Sequence, residues 1–173
     1  MKAADFIRSA RDRLTSSDSA WTQGEFARDD AGIGCAPSAN GARAWSALGA
    51  IAVALTRDVW RSAFNRNRLL AEQDLALVTL AHVVAPEWTG WATEHPTMAA
   101  MHAQARVAEW NDVPSRTRAD VLEVFDKAIA LLEANEIDGW SWWLGFKGLP
   151  WAHDGRDAGG ARRVSGGGTE AVQ

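Results

Sequence analysis

Between Thr117 and Ala134 the chain sets Val121, Leu122, Phe125, Ala128, Ile129 and Leu132 at i, i+1, i+4, i+7, i+8 and i+11. Only an α-helix gathers that spacing onto one face, and the stripe is wide enough to mark a core helix. Thr117 followed three residues later by Asp120 is a capping-box pattern that fixes where the helix starts. A helix with so broad an apolar face needs partners, and the rest of the chain is read for them.

Phe6, Ile7, Ala10 and Leu14 predict an amphipathic helix over residues 4–16, ended by the polar breaker Thr15-Ser16-Ser17-Asp18-Ser19. The stretch from Trp21 to Pro37 reads as an irregular loop, with Trp21 and Phe26 expected to pin it to the core. Asn40 is the expected N-cap of a helix running through Thr56, with Trp45, Leu48, Ala52 and Leu55 as its stripe. The small residues Ala47, Gly49 and Ala50 leave room for a close neighbour. Trp60, Phe64 and Leu69 imply more helix, and Leu77, Leu80, Ala81 and Val84 continue it until Pro86; one helix or two is open over 58–84. Trp88 and Trp91 fall in a loop, and a helix from Thr97 to about Glu109 is expected to turn Met98, Met101, Ala105 and Ala108 inward. The expected fold is therefore all-α, an irregular bundle of five or six helices with long Trp-containing loops. Residues 1–154 form the expected helical domain. Residues 155–173, with Gly159-Gly160 and Gly166-Gly167-Gly168 and few apolar side chains, form an expected flexible tail.

Composition removes several classes of function. With 173 residues, 47% hydrophobic and 23% charged, the chain has the make-up of one globular domain. A formal net charge of −4 argues against general affinity for polyphosphates, which basic surface supplies. The candidate basic patch, Arg57, Arg61, Arg66 and Arg68, runs into Glu72 and Asp74 and reads as a solvated helix face. A nucleic-acid accessory role would have to use those arginines. Cys35, the single cysteine, excludes an internal disulfide and cysteine-based zinc sites. No two of the four histidines stand at the i, i+3 or i, i+4 spacing of a helical metal site. No Gly-rich phosphate loop and no Gly-x-Ser-x-Gly elbow is present. No metal, cofactor or catalytic residue is assigned. No apolar run nears the ~20 residues of a membrane span, and Met1 to Phe6 lacks the apolar core of a signal peptide, so the expected location is the cytoplasm.

The segment with the most chemistry is Trp110-Asn111-Asp112-Val113-Pro114-Ser115-Arg116-Thr117. Pro114 pushes Val113 out of the helical region, so the chain must turn. Asn111 and Asp112 are side chains that bind nearby backbone amides, and Arg116 could pair with Asp112. The functional reading makes Asn111, Asp112, Arg116 and Thr117 a polar cleft that binds a ligand; the plainer one makes them a turn clasped by its own side chains. Trp-Asn-Asp, three residues, Arg-Thr and the helix after it resemble a small bacterial family of uncharacterised domains. Trp21-Thr22-Gln23-Gly24 and Trp45-Ser46-Ala47-Leu48-Gly49-Ala50 are similar to further segments of it. The resemblance covers roughly residues 1–135 and implies a compact, mostly helical domain without bringing an activity. That family often has cysteine where Ser46 stands.

Ten tryptophans and no tyrosine are the remaining oddity. Trp140, Trp142 and Trp143 fall within Gly139 to Phe146, with Trp151 shortly after. Neighbours on a helix point about 100° apart, so these rings either wrap the bundle as a lid or project in part as a surface for a protein partner. Tryptophan is enriched in binding hot spots because an apolar ring carries an N–H that wants a partner. From residues alone the leading reading is a non-catalytic binding or accessory module using Trp140, Trp142, Trp143 and Trp151, with a ligand-binding domain at Asn111 and Asp112 as the alternative. Deleting residues 156–173 should leave the melting temperature within about 2 °C of the full chain, because a Gly-rich segment adds no core. Thermal denaturation of the two chains checks this, and a clear drop would reveal an ordered arm.

Overall fold

Why α-helices alone do not complete the fold is visible at residues 27–45, where the chain is too short of periodic apolar residues to make another helix. A computed structural model describes residues 2–59, 66–89, 95–135 and 139, with only the backbone at 55–59 and 66–69. The described elements are α1 (Ala3–Leu14), β1 (Ala27–Asp29), β2 (Gly34–Cys35), β3 (Ala42–Trp45), α2 (Ala47–Val59), α3 (Arg66–Val84), α4 (Pro96–Asn111) and α5 (Arg118–Asn135). The protein is mostly helical but not all-α. It adds a small antiparallel sheet in the order β2-β1-β3. Trp60, Phe64, Trp91, the Trp140 to Trp151 segment and the tail 155–173 lie outside the described residues, as do the side chains of Arg57, Arg61, Arg66 and Arg68.

Helix α3 is the axis of the bundle. Leu75, Ala76, Leu77, Val78, Thr79, Leu80 and Ala81 are consecutive and all buried, which is the signature of a helix enclosed on every side. The Thr79 hydroxyl donates to the Leu75 carbonyl at 2.7 Å, so the polar residue in that run is satisfied within its own helix. Around α3 pack α1, α4 and α5. Helix α1 presents Phe6, Ile7, Ala10 and Leu14, all fully buried, as their spacing requires. Its first amide, Ala3 N–H, donates to the carboxylate of the buried Glu72 of α3 at 2.9 Å. A negative group there meets the positive end of the helix dipole. Helix α5 buries Val121, Phe125, Ala128 and Leu132, with Leu122 and Ile129 half-buried beside them. Arg8 pairs with Glu133, and Arg11 donates to Asp126 at 3.0 Å, so ion pairs line the α1–α5 seam. Exposed pairs of this kind contribute about 0–1 kcal/mol each; the apolar stripe holds the seam and the charges set its register.

Helix α4 runs opposite to the expectation. Met98, Met101 and Ala105 are exposed, and Ala99, Ala100, Ala103, Val107 and Asn111 face the core. Small alanines let α4 lie close against α3, and dispersion then acts over many short contacts. The methionines were the larger apolar residues, yet shape decided the face. Trp88 is buried, and the guanidinium of Arg106 stands over its ring at 5.5 Å from the centroid.

The sheet is built by local turn chemistry. Asp29 accepts from the amides of Ala31 and Ile33, at 2.9 Å each, and this Asx turn closes the β1–β2 hairpin. β3 pairs with β1 on the other side, Ala27 opposite Trp45 and Arg28 opposite Ala44, with a register shift after Arg28. Asn40 therefore does not cap α2. Residues 42–45 are held extended, with Trp45 N–H donating to the Ala20 carbonyl at 2.8 Å and its indole N–H to the Pro37 carbonyl at 2.8 Å. Trp45 belongs to the sheet, and Ser46 takes over as the cap, its hydroxyl accepting from Gly49 N–H at 3.2 Å.

Gly49 explains how strand and helix meet. A Cβ built there would stand 1.8 Å from the Phe26 carbonyl oxygen, so the entry to β1 lies directly on the first turn of α2. The small residues of this helix do permit close approach, but at Gly49 the neighbour is a strand carbonyl instead of a helix. Phe26 itself is 56% exposed rather than pinned inward. Gly49→Ala is expected to destabilise the fold by about 3 kcal/mol, at the upper end of overpacking costs. Gly41→Ala, whose nearest neighbour would be 3.9 Å away, should cost less than about 0.5 kcal/mol. Urea unfolding of both variants checks the contrast, and equal midpoints would mean the strand can lift from the helix at no cost.

Candidate functional site

The last turn of α4 runs into the segment that carries most of the polar chemistry. Asp112 N–H still donates to the Ala108 carbonyl at 3.0 Å, and after Pro114 the chain turns, with Arg116 N–H donating to the Val113 carbonyl at 2.8 Å. Thr117 then starts α5. Its amide and hydroxyl donate to one Asp120 carboxylate oxygen at 2.8 and 2.9 Å, and its hydroxyl accepts from Asp120 N–H at 3.2 Å. The Thr117 backbone and hydroxyl bonds hold the Asp120 carboxyl below the usual carboxylate range. Thr117 is thus occupied as a cap.

Asn111 is 1% exposed, and each of its hydrogen-bonding positions is used. Its Oδ1 accepts from the Trp21 indole N–H at 3.0 Å and from Ala47 N–H at 3.2 Å. Its Nδ2 donates to the Thr22 carbonyl at 3.3 Å and to Asp112 Oδ1 at 2.8 Å. Gln23 closes the same junction by donating from Nε2 to the carbonyls of Asn111 and Val113, at 2.7 and 2.8 Å. Gly24, in the left-handed region at φ 74°, aims its N–H at Asp112 Oδ1 at 2.9 Å. The three segments Trp21–Gly24, Trp45–Ala50 and Trp110–Thr117, remote in sequence, meet at this one side chain.

Beside the junction lies a cleft of about 290 Å³ lined by Gly24, Glu25, Phe26, Ser46, Leu48, Ala108, Asn111 and Asp112. Sequence reading placed Asn111 and Asp112 in a polar cleft, and both do line it. Arg116 and Thr117 do not. The guanidinium of Arg116 stacks over the Trp110 ring, 4.0 Å from its centroid, and donates to the Trp110 carbonyl at 3.3 Å. The pairing with Asp112 expected for it is absent, because an aromatic face next to the turn holds the cation first. Glu25, Phe26, Ser46, Leu48 and Ala108 were not anticipated, since they come from a loop, a cap and two helices whose meeting no local pattern announces. The Ser46 hydroxyl is already engaged, lying 3.4 Å from the Phe26 carbonyl and accepting from Gly49 N–H.

Two other features complete the survey. The carboxyl of Asp74 is pushed up to about 7 by burial, but α3 contributes no residue to the cleft. A second, more open hollow of about 470 Å³ is bounded by His82, Val83, Pro86, Lys127, Ala130 and Leu131 on α3, its C-terminal flank and α5. Burial holds the His82 imidazole below its ordinary range. Among the described residues no group of three or more His, Cys, Asp or Glu side chains is placed to hold a metal ion, and no described helix is long and apolar enough to cross a membrane.

The family's sequence pattern matches residues 1–131. The chain belongs to DUF6197, a family of unknown function. No curated protein and no solved structure matches it. The match takes in all three segments that join at Asn111, so the DUF6197 region contains the whole cleft.

Asn111→Asp is expected to destabilise this DUF6197 domain by at least about 2 kcal/mol at neutral pH. The new carboxylate would face the Thr22 carbonyl and Asp112 Oδ1 where an N–H₂ now donates, leaving buried acceptors opposed. Asp112→Asn keeps an oxygen for Gly24 and Asn111 and should stay within about 1 kcal/mol of the parent. Chemical denaturation of the pair checks both, and a wild-type midpoint for Asn111→Asp would mean that the junction does not stabilise the fold.

Proposed function

We propose that the protein is a non-catalytic binding module whose ligand seats in the cleft beside Asp112. The observation that carries this reading is the cleft itself: one concave space that joins an apolar floor, Phe26, Leu48 and Ala108, to convergent oxygens of Glu25 and Asp112. Ligand sites have this make-up, mostly apolar with a few placed polar groups. The walls are fixed before any ligand arrives, because Asn111, Gln23 and Gly24 tie them together. Prearranged walls spare the ordering cost of binding.

A catalytic role has less support. A reaction centre needs a nucleophile or acid–base pair with an orienting partner. The cleft's hydroxyl, on Ser46, serves as a helix cap, and no histidine stands among its described lining residues. The strongly raised carboxylate, on Asp74, belongs to a helix that does not line it. Protein docking through Trp140, Trp142, Trp143 and Trp151 is a further proposal for this module, resting on composition alone.

A titration with the neutral probe 2-phenylethanol, followed by ¹⁵N shifts, tests the cleft. The amides of Gly24, Phe26, Ser46 and Ala108 should move together and saturate. In Ala108→Phe, where the new ring fills the space, they should no longer respond, while the melting temperature stays within about 3 °C. Shifts confined to other regions, or unchanged in Ala108→Phe, would overturn the reading.

A further inference from the structure

We infer that the cleft selects a small organic cation, an ammonium or guanidinium group carried on an apolar body. This rests on the cleft being the binding site, and goes beyond it by naming the chemistry of what binds. Two carboxylates on a surface are usually just hydrated; what distinguishes these two is that they share an enclosed volume with an apolar floor, and that the chain supplies them no counter-charge. Asp112 uses Oδ1 for two neutral donors, the Gly24 amide at 2.9 Å and the Asn111 amide group at 2.8 Å. Its Oδ2 takes no hydrogen bond among the described residues. Glu25 forms no ion pair among them either, and its carboxyl lies over Gly34, where a Cβ would come within 2.9 Å of it.

The cations close in sequence to the cleft's walls are all committed elsewhere. Arg28 donates to the Thr22 hydroxyl at 3.0 Å and to the Gly32 carbonyl at 2.7 Å. Arg116 covers Trp110, and Arg13 stands over Trp45 at 4.8 Å. The cleft also receives the C-terminal end of α4, where Ala108, Asn111 and Asp112 contribute, and a helix C-terminus carries partial negative charge. Three sources of negative potential thus converge with no internal cation. A low-dielectric wall strengthens their pull on an incoming one. Phe26, 56% exposed at this site, offers a ring face that attracts a cation and covers its hydrocarbon. An anion would meet only repulsion here, and a neutral molecule would gain from the floor alone.

Three probes of one shape separate these terms: 2-phenylethylammonium, 2-phenylethanol and 3-phenylpropionate, titrated against the full chain with the Gly24, Phe26 and Ala108 amides as reporters. The ammonium should bind at least about tenfold tighter than the alcohol, a gap of about 1.4 kcal/mol. It should weaken as salt rises from 20 to 300 mM, and the propionate should bind least. Asp112→Asn and Glu25→Gln, which keep shape and acceptor oxygens, should each bring the ammonium down toward the alcohol. Binding of the alcohol or the propionate as tight as the ammonium would overturn the cation assignment and leave the cleft standing as a site. No response at these amides to any probe would overturn both readings together.

Discussion

A buried amide stabilises a fold only when every one of its partners is present, since inside the protein an unmet donor or acceptor costs about as much as a made bond gains. Asn111 meets that condition with four partners drawn from Trp21, Thr22, Ala47 and Asp112. Those partners lie on the strand-entry loop, the first turn of α2 and the end of α4. None of the three can be withdrawn without stranding groups on the other two. The loop 21–26, which has few apolar side chains of its own, is therefore as firmly placed as the helices it touches. Everything proposed about the cleft follows from this, because its walls are those three pieces.

The helical bundle and the junction divide the work. Burial along α3 and the stripes of α1 and α5 supply the non-directional stabilisation that compacts the chain. Such burial fixes which faces go inward without fixing how a short irregular segment lies on top. Hydrogen bonds with defined geometry do that, through Asn111 at one end of the loop and through the Asp29 turn at the other. Gly49 is where the two meet, because the Phe26 carbonyl can approach the α2 backbone only if no side chain intervenes.

How far the sequence discloses all this differs between elements for physical reasons. Helices α1 and α5 were legible, since long amphipathic stripes encode both type and face. Helix α4 was legible as a helix but not in its orientation, because Ala99, Ala100 and Ala103 win the interface by being small while Met98 and Met101 remain outside. The strands were not legible: with three, two and four residues they are too short to show alternation, and their pairing is imposed by the turn at Asp29 and by the indole of Trp45. The cap of α2 moved from Asn40 to Ser46 for the same cause. At the site, the Trp-Asn-Asp turn stood out for its local chemistry. A single sequence carries no trace of the contact between Asn111 and Ala47, or of the Gln23 bridge, so half of the lining residues could only be found in three dimensions.

The division of labour within Asp112 shows how one carboxylate can serve fold and ligand together. Its Oδ1 is spent on neutral donors that hold the loop, which leaves the full negative charge of the group uncancelled. In the empty cleft that charge is hydrated, so retaining it costs the fold little. A ligand must strip this water to gain the attraction, and the charge then acts at full strength only if an apolar body also fills the floor beside it. The two contributions are for that reason coupled rather than additive. A bare ammonium ion would remain in competition with solvent and a bare hydrocarbon would leave the carboxylates unmatched, so selectivity resides in the combination that Phe26, Leu48 and Asp112 present within one volume.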